Sequence, residues 1–265
     1  MSVNGYLTTL SSNLVLSSSE NSSIRTSIST LSSRLNSYFN NGQLHKHFQF
    51  GSSTRGTILP RKADSNSDID YMVVFKNPNN YKPETLLNYL RNFMKAKYSR
   101  SEIYKDSPTM VLELNHIKFE LVPAIQDYWG NLSIPSRTNF LSDWMSTDPT
   151  GFNESLINAN RNNNSKIKPA IRLMKYWNTN KLNYYYSSFL LEKWVVNKFH
   201  YSSRPYIKDY VFDSIESLSY NYNDSQSFKG KLDRAKQIVH NTRIYEHQGK
   251  PISAENEIKK LFPEF

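Results

Sequence analysis

Asp68 and Asp70 sit two residues apart in Ser67-Asp68-Ile69-Asp70-Tyr71-Met72-Val73-Val74-Phe75. In a β-strand, side chains i and i+2 share a face, so both carboxylates point the same way. Two carboxylates that close repel each other unless a cation lies between them. Hard oxygen ligands of this kind suit Mg²⁺ or Mn²⁺. A pair of such ions held about 3.5–4 Å apart is a common device for phosphoryl and nucleotidyl transfer. Upstream lies Gly51-Ser52-Ser53-Thr54-Arg55-Gly56-Thr57. Gly51 allows close backbone approach, and exposed N–H groups with the Ser52 hydroxyl can hold phosphate oxygens. Each pattern alone is commonplace: Asp-x-Asp is usually two solvated carboxylates and Gly-Ser is usually a turn. Together, with the acids opening an apolar strand that buries Ile69, Val73 and Phe75, they are far more specific.

The elements that must position these residues follow from periodicity. Ile24, Ile28, Leu31, Leu35 and Tyr38 draw one helical stripe, with Ser18 or Ser19 as its cap. Val3, Leu7, Leu10 and Leu14 repeat the spacing, so the start is two amphipathic segments or one long bent helix. His47–Phe50 reads as a short strand stopped by Gly51. The run 68–75 reads as a buried strand stopped by Asn77-Pro78-Asn79-Asn80. A helix is expected over 84–97. A hairpin around Asn115-His116 pairs 110–114 with 117–122, and Pro123 is expected to end it. Beyond Asp148 strand signals fade. Helices are expected around 167–177, 188–199, 209–218, 228–245 and 254–262.

Composition narrows the function classes. The 265-residue chain has no Cys, which removes a disulfide framework, a zinc finger, a Cys nucleophile and a thiolate metal site. No apolar run nears the roughly 18 residues that span a bilayer, and no signal peptide is read. A soluble cytoplasmic protein without a membrane partner is expected. Lys and Arg exceed Asp and Glu by 33 to 23, giving +10, which favours polyanionic partners or plain solubility. There is no Walker-type loop, His-Glu-x-x-His or Gly-x-Ser-x-Gly.

Gly-Ser with a following Gly-Thr, then Ser-Asp-Ile-Asp entering an apolar strand, resembles the DNA polymerase β-type nucleotidyltransferase superfamily. Ile171-Arg172-Leu173-Met174-Lys175-Tyr176-Trp177 and Tyr186-Ser187-Ser188-Phe189-Leu190-Leu191-Glu192 resemble the branch of cyclic GMP–AMP synthase, oligoadenylate synthases and bacterial cyclic-oligonucleotide synthases (CD-NTases) of anti-phage signalling (CBASS). Ile258-Lys259-Lys260-Leu261-Phe262-Pro263 is similar to the end of the bacterial members. The resemblance runs from about Phe48 onward.

It implies an α+β fold: a mixed-sheet nucleotidyltransferase core, an N-terminal spine helix and a helical C-terminal half, bilobal with a central cleft. The implied segments are a spine over 1–45, a catalytic core over 46–150 and a helical domain over 151–265. It also implies a third acid, for which Glu120 in Phe119-Glu120-Leu121-Val122-Pro123-Ala124 matches, with Glu113 a weaker competitor. The bacterial relatives usually carry Asp there; Glu reaches one methylene further. Asp68, Asp70 and Glu120 would hold two Mg²⁺ or Mn²⁺ ions. Gly51, Ser52, Lys175 and Ser188 would hold the donor triphosphate, and Phe189 would stack on a nucleobase. Lys175 otherwise reads as a surface lysine and Phe189 as a core residue.

The implied activity converts NTPs to a cyclic di- or trinucleotide with pyrophosphate release, and the product reaches a downstream effector in anti-phage defence. A monomer is expected. Alternatives are transfer to a tRNA or protein acceptor, linear oligonucleotides, or a weakly active nucleic-acid-binding relative. Lys229, Lys236 and Arg243 recur every seven residues and share roughly one helix face. That face is expected either to bind an RNA or DNA activator or to be merely solvated.

Overall fold

Two N-terminal helices stand where a single bent one was an alternative: α1 (Val3–Asn13) and α2 (Ser18–Tyr38). The computed structural model describes residues 2–39, 42–77, 79–106, 108–136 and 143–264, so Pro78 of the expected strand stop lies outside them. The cap of α2 is Ser17, one residue before the expected serines. Its hydroxyl accepts from the Glu20 N–H, and the Glu20 carboxylate accepts from the Ser17 N–H at 2.8 Å.

The chain forms two compact units. One comprises Ser17–Arg55 and Asn66–Phe152; the other comprises Met1–Leu16, Gly56–Ser65 and Asn153–Phe265. These units divide the chain differently from the three sequence segments. The two N-terminal helices part company because α1 buries Val3, Leu7 and Leu10 within the second unit, whereas α2 belongs to the first.

The first unit is built on a mixed sheet. Its strands are β1 (Leu44–Phe50), β2 (Asp68–Phe75), β3 (Glu102–Asp106), β4 (Thr109–Glu113), β5 (Lys118–Gln126), β6 (Leu132–Pro135) and β7 (Trp144–Thr147). The order is β1-β2-β5-β4-β3, with β6 pairing β5 and β7. Only the β2–β5 pairing is parallel among the described ladders. A short helix, α3 (Ser52–Arg55), follows β1, and α4 (Pro83–Lys97) follows β2.

Alternation makes this sheet two-faced. Ile69, Tyr71, Val73 and Phe75 are buried on one face of β2. There Phe39 at the end of α2 packs edge-on against Phe75, ring centroids 5.3 Å apart, and lies 5.7 Å from Phe93 of α4. The other face carries Asp68 and Asp70, then Met72 and Val74, which pack with Ala124, Leu132, Phe48, Phe50 and Ile134. The carboxylates are thus seated at the end of an apolar layer.

Pro123 does not end β5, which continues to Gln126. The β4 ladder stops at Leu121 and the β6 ladder begins at Ile125, so on that side the strand has a free edge where Pro costs no ladder bond.

The second unit is helical. It holds most of α5 (Gly151–Asn162), then α6 (Ile167–Leu182), α7 (Ser188–Lys198), α8 (Ile207–Ser217), α9 (Gln226–His247) and α10 (Pro251–Lys259). Helix α6 is buried nearly all round, with Ile171, Leu173, Met174, Tyr176 and Trp177 inside. No helix of the described residues is long and apolar enough to cross a membrane.

Candidate active site

The parallel register of β2 and β5 sets Asp68 beside Lys118 and Asp70 beside Glu120. Partners in a ladder face the same way, so three carboxylates and one ammonium project from a single patch of the sheet. Lys118 Nζ lies 3.3 Å from Glu120 Oε1 and 3.8 Å from Asp68 Oδ2. Burial drives the Asp68 pKa up to about 8; Asp70 and Glu120 add to the rise, and Lys118 opposes it. Burial also works against charge on Lys118, but Asp68 and Glu120 outweigh it and raise its pKa. Glu113 stands opposite Lys118 in the β4–β5 register, one strand further from the aspartates than Glu120.

Gly51 makes room for the site. Phe50 pairs with Asp70, and the chain then turns at Gly51 with φ +78° into α3. A Cβ at Gly51 would come within 1.8 Å of Asp70 Oδ2. Only glycine satisfies both the positive φ and that approach. Ser52 opens α3 with its side chain half-buried.

The donor chemistry suits a hard divalent cation: all three acids offer oxygen, and the Lys118 ammonium already sits between two of them as a stand-in charge. Among the described residues no three acidic or imidazole groups close around one point.

The expected triphosphate ligands of the second unit fall into two environments. Lys175 is buried, 5% exposed, not a surface lysine. Its ammonium donates to the Thr57 carbonyl oxygen at 3.0 Å and to Glu192 Oε1 at 3.2 Å. The same Glu192 oxygen accepts from the Thr57 hydroxyl at 2.7 Å. Two of the three Lys175 ammonium donors are thus engaged within the second unit. Ser188 is half-buried in the first turn of α7, whose Ser187 cap makes no side-chain cap bond. Phe189 is 45% exposed and is therefore not a core residue. Tyr185, before α7, stacks on Phe228 of α9 with ring centroids 3.4 Å apart.

The model of the Second Messenger Oligonucleotide or Dinucleotide Synthetase domain (SMODS) matches residues 1–160. The chain belongs to the SMODS family.

Beyond that match, this SMODS chain is 24% identical over 177 residues to the cyclic AMP-AMP-AMP synthase of an Acinetobacter strain, covering 64% of this chain and 51% of that protein. It spans about half the length of the curated relatives it matches. Its fold superposes on CdnC of Escherichia coli MS115-1 with ATP, at a TM-score of 0.69 and 12% identity over 95% of both chains. It also superposes on the CD-NTase CdnG of Bradyrhizobium diazoefficiens with GTP, at 0.68 and 10% identity over 98% of both chains. The SMODS chain thus shares the CD-NTase fold, and the α+β mixed-sheet expectation holds.

The basic face on α9 is largely engaged within the second unit. Arg243 pairs with Asp213 at 3.4 Å and Glu216 at 3.0 Å, both on α8. Lys229 donates to the Tyr222 carbonyl oxygen at 2.7 Å and lies over the Tyr220 and Tyr222 rings. Lys236 is half-buried.

Reading the sequence missed two of these features. Lys118 was within reach, because the i, i+2 rule that paired Asp68 with Asp70 also pairs Lys118 with Glu120. The Thr57–Glu192 bond had no local signal, since 135 residues separate its partners.

Proposed function

We propose that this SMODS protein is a divalent-metal-dependent nucleotidyltransferase that joins NTPs into a cyclic oligonucleotide. The observation that carries the reading is the single patch formed by Asp68, Asp70 and Glu120 on neighbouring strands, beside the Gly51 turn. In the reaction an acceptor ribose hydroxyl oxygen forms a bond to the α-phosphorus of the donor. The bond from that phosphorus to the bridging oxygen breaks, and pyrophosphate leaves with the electron pair. The hydroxyl proton passes to solvent. A second attack of the same kind, within the linear product, closes the ring.

Asp68, Asp70 and Glu120 would hold two Mg²⁺ or Mn²⁺ ions, which supply charge neutralisation at the phosphates and a more acidic acceptor hydroxyl. The Ser52 hydroxyl and the N–H groups at the Gly51 turn donate to phosphate oxygens. Ser188, in the first turn of α7, offers a further hydroxyl donor to the triphosphate. Phe189 offers a ring face to a base. Lys175 holds the Thr57 loop through Glu192 and the Thr57 carbonyl, and offers its third donor to phosphate. The Acinetobacter relative is a cyclic AMP-AMP-AMP synthase, and the solved relatives carry ATP or GTP, so adenine and guanine donors come first for this chain. The product acts on an effector in anti-phage defence, in the cytoplasm where NTPs are made.

The test is incubation with the four NTPs and Mg²⁺ or Mn²⁺, with pyrophosphate release and product mass both measured. A cyclic product is expected, absent in Asp70→Asn and Glu120→Gln. Linear products alone would overturn ring closure. Pyrophosphate release unaffected by both substitutions would overturn the site.

A further inference from the structure

We propose that Lys118 is an internal counter-cation of the acid patch, which holds Asp68 and Glu120 together and competes with the divalent cation for them. The proposal rests on the metal-dependent reading above. Lys118 is placed for this by two separate constraints: it is the ladder partner of Asp68, and it lies two residues before Glu120 on the same face of β5. Its ammonium is therefore centred on the patch, 3.3 Å from one carboxylate and 3.8 Å from the other.

The pair differs from a surface ion pair, which contributes little because water screens it. The Lys118 side chain is only 13% exposed, against 53% for Lys260 in its surface pair with Glu257. At such burial the attraction between opposite charges is several times stronger than in bulk water. An ammonium is also a compact point charge, closer in size and charge distribution to a metal ion than a planar guanidinium is.

Two consequences follow. Without metal, the ammonium offsets the repulsion among three neighbouring carboxylates and keeps Asp68 and Glu120 close. With metal, the incoming cation must displace that ammonium, so affinity is lowered by the free energy coupling Lys118 to the acids. Glu113 stands opposite Lys118 in the β4–β5 register, so the displaced ammonium keeps an acidic neighbour. The patch then binds metal more weakly than the same carboxylates would without Lys118.

The test titrates metal-stripped protein with Mn²⁺, reading free Mn²⁺ by electron paramagnetic resonance, for wild type, Lys118→Met, Lys118→Arg and Asp68→Asn. A coupling of ordinary size implies that Lys118→Met binds Mn²⁺ about tenfold more tightly, while Lys118→Arg stays near wild type. The stripped Lys118→Met protein should also melt at a lower temperature than wild type and gain more from Mn²⁺. If Lys118→Met is too unstable to titrate, Lys118→Gln is judged by the same criterion. Unchanged or weaker Mn²⁺ binding in the neutral variant overturns the proposal. Asp68→Asn that binds Mn²⁺ as tightly as wild type overturns the metal-site reading itself, which separates the two failures.

Discussion

In chelated, metal-free protein, Asp68→Asn is expected to raise stability at pH 8 and to have almost no effect near pH 4. The Asp68 pKa is driven from its ordinary 3.8 to about 8, by burial first and by Asp70 and Glu120 next. A folded-state pKa above the unfolded one means that the native protein binds the proton more tightly. That stability is present below pH 3.8 and is lost as pH climbs toward 8. At about 1.4 kcal/mol per pH unit, the full span would be worth roughly 6 kcal/mol for a wholly buried, isolated group. Asp68 is neither, since its side chain is 29% exposed and Lys118 stands beside it. Screening and coupling leave about 2–3 kcal/mol. A neutral, nearly isosteric Asn should recover this, raising Tm at pH 8 by about 5–10 °C. The assay is thermal unfolding followed by circular dichroism in a chelator, from pH 4 to 8, for both proteins. The gap should open as pH rises, and added Mg²⁺ or Mn²⁺ should stabilise only wild type. A gap equal at pH 5 and pH 8, or an Asn variant less stable at pH 8, refutes the electrostatic account.

Gly51→Ala should lower turnover at least about 100-fold, because its Cβ would displace the Asp70 carboxylate from a 1.8 Å approach and strain a backbone at φ +78°; near-wild-type kcat would show that Asp70 tolerates another position. Lys175→Met should destabilise the protein by about 3 kcal/mol in denaturant titrations, since it takes the ammonium away from the buried Glu192 carboxylate, which keeps the Thr57 hydroxyl. The double variant Lys175→Met, Glu192→Leu should recover much of that loss; a raised KM with unchanged stability would instead make Lys175 a phosphate ligand alone. Phe189→Ala should cost under about 1 kcal/mol of stability, because the ring is already 45% exposed, while raising KM for the NTP several-fold; an unaltered KM would remove it from the nucleotide site.

The sequence carried the strand Asp68–Phe75 to its last residue, because an apolar run with acids at its mouth has one reading at period 2. It also carried the helices expected around 167–177, 188–199 and 228–245, which the structure shows over 167–182, 188–198 and 226–247, because their apolar residues recur at helical spacing. It did not carry β3, β6, β7 or α5. Three of these are strands of five residues or fewer, and Glu102–Asp106 is mostly exposed, so hydrophobic alternation had little to mark.

Residue types and short spacings alone were enough to single out Asp68, Asp70, Gly51 and, by resemblance, Glu120. Their meeting is a tertiary fact. Asp70 and Glu120 are neighbours because β2 and β5 pair in parallel at one register, and a slip of a single residue would send Glu120 to the opposite face. That register is set by the burial of whole faces, Ile69 to Phe75 on one side and Met72 to Ala124 on the other, which no local pattern encodes. The same register brings Lys118 onto the acids. Folding likewise decided that Lys175 is buried against Glu192 and that Arg243 answers acids on α8: a helical stripe says which side faces inward, but only packing says what charge waits there.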